Sequence, residues 1–78
     1  MQDIVEVTGM IIQNIPVKDY DRRITILTRE NGKIGVFVRG ARRQNNRFMG
    51  IRQFCYGHFE LYQGRDSYTL KNAQILNY

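Results

Sequence analysis

Cysteine, histidine and proline each occur once in this 78-residue chain, as Cys55, His58 and Pro16. A single cysteine excludes an internal disulfide and fits a reducing compartment. A metal site needs several ligands, and Cys55 and His58 are the only residues of their kinds. No apolar run approaches the roughly 20 residues that span a bilayer. The first residues, Met1 to Val7, carry Asp3 and Glu6 and no cation, unlike the basic start of a signal peptide. Those absences point to a cytoplasmic chain. A domain this small buries only about 60% of its unfolded surface. Without staples it must rely on a well-closed core or on a neighbouring domain.

Acidic residues are missing from the middle of the chain. Between Glu30 and Glu60 there is none, while Lys33, Arg39, Arg42, Arg43, Arg47 and Arg52 give that stretch a charge of +6. The rest holds six basic and seven acidic residues, so the whole net charge of +5 resides in the centre. Such a concentration is either the footprint of a polyanion site or a solvated basic loop.

There is no repeat, low-complexity tract or proline-rich linker, and five segments show the two-residue period of strands. The first runs from about Ile4 to Ile15, with Val5, Val7, Gly9 and Ile11 on one face; Gly9 suggests a bend or a close backbone approach. Residues Pro16 to Asp21 read as a turn. A second strand, Arg22 to Arg29, sets Ile24 and Ile26 against Arg23, Thr25 and Leu27. Asn31-Gly32 is a two-residue hairpin signal, since both residue types tolerate positive φ. The third strand, Lys33 to Arg39, sets Ile34, Val36 and Val38 against Gly35, Phe37 and Arg39. Residues Gly40 to Gln53 break the pattern, with Phe48 and Ile51 spaced as the apolar side of one helical turn. A fourth strand, Phe54 to Gln63, turns Cys55, Gly57, Phe59 and Leu61 inward. The fifth, Ser67 to Leu76, offers Tyr68, Leu70, Ala73 and Ile75 for packing.

Five strands, a long bent first one and a loop or helical excursion before the fourth predict an all-β, five-stranded OB-fold barrel. An SH3-like barrel is the structural rival, but it does not usually place fourteen residues between the third and fourth strands.

Little in the sequence suits catalysis. His58 stands alone in an alternating strand, and Cys55 has no second histidine to activate it. Asp19 and Asp21 flank Tyr20 in a turn rather than forming an acid–base pair. No glycine motif opens a helix in the manner of a phosphate cradle, so no cofactor is implied. A binding module is expected, not an enzyme.

If Ile24, Ile26, Ile34, Val36 and Val38 fill the barrel, Phe37 and Arg39 must point outward, with Arg23, Thr25 and Arg29 on the same outer set near Lys33. An aromatic ring among cations on strands two and three is how OB folds hold single strands: bases stack on the ring and cations follow the phosphates. The other reading packs Phe37 under a loop or a second domain. Arg42, Arg43 and Arg47 extend the basic surface into the following loop. Among the tyrosines, Tyr62 is notable because it lies beside the turn between strands four and five.

Several stretches resemble one family in order and spacing. They are Thr8-Gly9-Met10-Ile11-Ile12, Tyr20-Asp21, Leu27 to Lys33, Arg39-Gly40-Ala41-Arg42-Arg43, Phe48 and Phe54, Phe59 to Gly64, and Tyr68-Thr69-Leu70. Together, over about residues 4 to 76, they resemble the N-terminal part of the RecO recombination-repair family. The resemblance implies an OB-fold domain that binds single- and double-stranded DNA. It also implies strand annealing, and action with RecR to help RecA replace single-strand-binding protein. Lys33, Arg39, Arg42 and Arg43 match the family's basic surface, with Arg47 as a neighbour. By the same resemblance, residues 1–78 look like an excised domain whose helical, often metal-binding, C-terminal companion lies outside this sequence.

Two other readings compete. One is an RNA-binding OB domain of cold-shock or ribosomal type, which would usually display several aromatics on strands two and three. The other is a protein-interaction barrel whose basic face meets an acidic partner.

Overall fold

A computed structural model describes residues 3–18, 20–40 and 51–77, with the side chain of Asn77 excepted. It contains β1 (Asp3–Val17), β2 (Asp21–Thr28), β3 (Gly32–Val38), β4 (Tyr56–Gln63) and β5 (Tyr68–Asn77), and no helix among the described residues. The strands close into a barrel in the order β1-β2-β3-β5-β4. That is the OB-type barrel expected from the alternation.

Closure depends on the length of β1. Its first part, Asp3 to Met10, pairs antiparallel with β4, and its later part, Gly9 to Val17, pairs with β2. One strand can serve two neighbours because it bends where they overlap. Gly9 lies opposite both Thr28 and Gly57. A β-carbon on Gly9 would stand 2.2 Å from the Leu27 carbonyl oxygen, and one on Gly57 would stand 2.3 Å from that of Gln74. Both glycines are therefore required by close backbone approach. The remaining seam is a short parallel ladder, Val36 to Tyr68 and Phe37 to Thr69, between β3 and β5.

The interior follows the two-residue period. Val7, Ile11, Ile24, Ile26, Val36, Val38, Cys55, Phe59, Leu61 and Leu70 are buried. Val5, Ile34, Tyr68, Ala73 and Ile75 pack partly buried against them. In β5 the inward residues step from Leu70 to Ala73, three positions instead of two. The register shift opposite Glu60 and Leu61 accounts for it, since β5 accommodates Lys71 as an extra residue there. A similar shift in β1 passes over Ile12.

Three local expectations are corrected. First, Pro16 does not begin a turn: β1 runs on to Val17, and Pro16 lies opposite Arg22. Beyond Met10, β2 is the only strand paired with β1 among the described residues, and a strand paired on one side tolerates a residue without an N–H. The returning segment covers the other side through Asn14 Nδ2 donating to the Ile51 carbonyl (3.3 Å) and Gln53 Nε2 to that of Ile12 (3.0 Å).

Second, Asn31-Gly32 is not a two-residue turn. Thr28 lies opposite Gly32, so the connection takes residues 29–31, and only Gly32 has positive φ, at 66°. The Thr28 hydroxyl decides this. It accepts from the Asn31 N–H (2.8 Å) and donates to the Gly32 carbonyl (2.7 Å), which fixes the wider turn.

Third, Phe54 does not start the fourth strand. It has φ of 71°, its side chain is 62% exposed, and β4 begins at Tyr56. Its N–H donates to the Ile11 carbonyl, and Ile11 N–H donates to that of Cys55 (2.9 Å), which seats the segment on β1 before β4 starts. The proposed helical turn around Phe48 lies outside the described residues; Ile51 packs partly buried against the core.

Candidate nucleic-acid interface

The outer face of β2 and β3 is set by the burial of its neighbours. Ile24, Ile26, Val36 and Val38 are buried at 1% exposure or less, so Arg23, Thr25, Gly35 and Phe37 project outward. Phe37 is 39% exposed. Arg23 is its register partner on β2, and Gly35 is the partner of Thr25.

The guanidinium of Arg23 lies along the sheet above Gly35. A β-carbon at Gly35 would come within 2.5 Å of one terminal nitrogen and 3.1 Å of the central carbon of that group. The missing side chain leaves room for the cation, two residues along β3 from Phe37. Thr25 extends the polar surface toward β1, its hydroxyl donating to Gln13 Oε1 at 3.3 Å. Ile15, 40% exposed, lies opposite Arg23 on the far side.

Phe37 lies between two loops, one on either side of it along β3. Its partner Arg23 is close to the start of β2, just after the β1–β2 connection, and its partner Thr69 is close to the start of β5, just after the β4–β5 connection. The second connection is closed by the Gly64 N–H donating to the Ser67 carbonyl at 2.8 Å, and it carries exposed Arg65 and Asp66. Arg39 follows β3 in an exposed turn, which Asp21 holds by accepting from the Gly40 N–H at 2.8 Å.

The expected site residues thus divide. Arg23, Phe37 and Arg39 come together at one end of the β2–β3 face. Lys33 lies opposite Leu27, four residues along β3 from Phe37, or about 13 Å at the usual strand rise. Arg29 is beyond it in the β2–β3 turn, its backbone N–H bound to the Thr8 carbonyl (2.9 Å). These two form a separate basic group at the opposite end. Arg42, Arg43 and Arg47 lie outside the described residues. No ion pair ties Arg23, Lys33 or Arg39 to a described residue.

Arg22 illustrates the other fate of an arginine. It is half-buried and its Nε donates to Asn14 Oδ1, so it braces β1 rather than facing solvent. Arg65 was missed by the sequence reading, which saw only a turn there. Its turn comes alongside β3 only because β5 lies beside β3, a non-local pairing.

On the outer side of β1, β4 and β5, two residues along from Ile4 and Tyr62, Glu6 and Glu60 border a cavity of about 400 Å³ together with Glu30, Thr8, His58 and Asn72. Glu30 Oε1 accepts from the Thr8 N–H at 3.0 Å, the Thr8 hydroxyl meets His58 Nδ1 at 2.7 Å, and Lys71 approaches Glu60 at 3.8 Å. His58 is thus exposed and bonded to a threonine, and Cys55 is a buried core residue, as the alternation suggested.

Comparison with known proteins decides the family. The family described as "Recombination protein O N terminal" matches residues 1–78. The chain belongs to that family. Proteins named DNA repair protein RecO are similar to it: that of Gloeobacter violaceus is 40% identical over 70 residues, 88% of this chain and 27% of its own length. That of Acetivibrio thermocellus is 32% identical over 73 residues, 92% of this chain and 29% of its own. The Bacillus subtilis protein is 33% identical over 69 residues, 87% and 27%. The chain therefore spans less than a third of the RecO proteins it matches. Membership agrees with the closed five-stranded OB barrel.

Proposed function

We propose that this barrel is the DNA-binding element of a RecO-type recombination mediator, and that it acts by binding rather than catalysis. The observation that carries the reading is the pairing of Arg23 with Phe37 on the outer face of β2 and β3, between the two loops that flank an OB binding cleft. Bases stack on the ring, and Arg23, Arg39 and Arg65 follow the phosphates. Arginine suits this role because its fork can hold a phosphate in two-pronged fashion. Arg42, Arg43 and Arg47, close behind Arg39 in the sequence, are further candidate phosphate contacts, and Arg29 with Lys33 offers a second contact for a longer strand. Phosphate contacts carry no base information, so binding is not sequence-specific.

Within a whole RecO-type protein, this module would support annealing of single strands and, with RecR, the replacement of single-strand-binding protein by RecA in the cytoplasm. Both single- and double-stranded DNA are expected ligands. An RNA-binding role of cold-shock or ribosomal type is less well supported, because Phe37 is the only aromatic on β2 and β3. The test is a titration of labelled single-stranded DNA at low salt, with RNA of equal length as competitor. Binding that DNA competes for better than RNA supports the proposal. RNA winning would transfer the site to RNA, and no binding of either would leave a protein-interaction barrel.

A further inference from the structure

The outward row that contains Phe37 does not end on β3. Phe37 lies opposite Thr69 of β5, Thr69 opposite Tyr62 of β4, and Tyr62 opposite Ile4 of β1. Alternation confirms the side on which they stand. Val36, Leu70 and Leu61, each adjacent in sequence to a member of the row, are core residues exposed by 4% or less. Tyr62 is half-buried, and Ile4 beyond it is 51% exposed. Tyr68, one position from Thr69, turns inward to the core instead, so of this pair of strands Tyr62 is the tyrosine that faces out beside Phe37.

We propose that Tyr62 is a second base platform, and that Phe37 and Tyr62 together select unpaired DNA. The inference rests on the DNA-binding reading above and extends it to a residue on the opposite side of β5.

The geometry gives the reason. Neighbouring strands stand about 4.8 Å apart, so the two ring-bearing positions are separated by about 10 Å across the convex outside of the closed barrel. Thr69, short and half-buried, lies between them. Successive bases in a duplex are about 3.4 Å apart and cover one another's faces. Bases can lie on two platforms about 10 Å apart only if they are unstacked and unpaired, which a single strand permits and a duplex does not. The arginines do not discriminate in this way, because phosphates are offered by both forms. Arg65 stands just past the end of β4, exposed, where it can follow the backbone of a strand leaving Tyr62.

The experiment compares Tyr62→Leu and Tyr62→Phe with the wild-type protein. Affinity is measured for a labelled oligothymidine and for a duplex of equal length, over a range of salt. Leucine keeps an apolar side chain opposite Ile4 but has no ring; phenylalanine keeps the ring. Tyr62→Leu should lose roughly tenfold or more in single-strand affinity. It should leave duplex affinity and the salt slope unchanged, and Tyr62→Phe should bind as the wild type does. An equal loss for both DNA forms, or no loss, overturns the proposal. Wild-type binding with an unaffected Tyr62→Leu overturns this inference alone; absence of any wild-type binding overturns the DNA-binding reading with it. Should Tyr62→Leu fail to fold, Tyr62→Trp supplies the only tryptophan in the chain. Its fluorescence should be quenched by oligothymidine and not by duplex, and the reverse result refutes the proposal.

Discussion

Arg23 faces Phe37 across the β2–β3 ladder, and its guanidinium occupies the space that a side chain at Gly35 would take. The cation is thus positioned by an absence two residues away from the ring it accompanies. Gly35→Ala tests whether that position matters. The atom in the way is the end of a flexible side chain, so the fold should tolerate the change, with a stability shift within about 1 kcal/mol. The guanidinium must move, and single-strand affinity should fall several-fold. Thermal unfolding and a binding titration on the same variant separate the two effects, and unchanged affinity would remove Arg23 from the site.

Phe37 and Ile26 lie on opposite faces of the same hairpin and should respond differently to truncation. Ile26 is fully buried, and Ile26→Ala should cost about 2–5 kcal/mol. At roughly 4–8 °C per kcal/mol for so small a domain, that approaches complete unfolding near room temperature. Phe37→Ala should shift the midpoint little while lowering single-strand affinity by about 1–3 kcal/mol. A collapse of the Phe37→Ala midpoint would mean the ring is a packing element.

Salt dependence reads the cationic contribution directly. If about four of the central cations meet phosphates, log K against log salt should have a slope of roughly −3 for a single strand. Replacing Arg42, Arg43 and Arg47 together by serine should bring it about 2 units closer to zero. Affinity should weaken alike for every sequence. A slope near zero in the wild type, with binding retained, would contradict the electrostatic account.

Gly57→Ala should be severe for a reason unrelated to DNA. The new methyl would meet the Gln74 carbonyl at 2.3 Å, and that backbone belongs to β5 in the closed barrel. Overpacking of this kind costs about 1–3 kcal/mol or more. A midpoint equal to the wild type would show that β4 and β5 can separate locally at little cost.

The chain itself contains the barrel's inside and outside. Strand alternation is local, so Ile24, Ile26, Val36, Val38, Phe59 and Leu61 could be assigned to the core, and Phe37 to the surface, without knowing any partner strand. Gly9 signalled the bend for the same reason. Turn details were less legible, because side-chain bonds overrode residue preference. Thr28 widened the Asn31-Gly32 connection, and the one-sided strand pairing of β1 beyond Met10 admitted Pro16 into a strand. Which charges and rings would meet was not legible at all. Arg23 lies opposite Phe37 through hairpin register, but Thr69, and across it Tyr62, entered the same row only because β5 closes the barrel beside β3. Arg29 and Lys33, near in sequence, were carried to the other end of the face. The sequence alone determined the direction of each side chain relative to its own strand, a property of backbone period. The tertiary structure alone decided which strands became neighbours, because that choice depends on closing the ring around a shared core, where contacts between distant segments are made together or not at all.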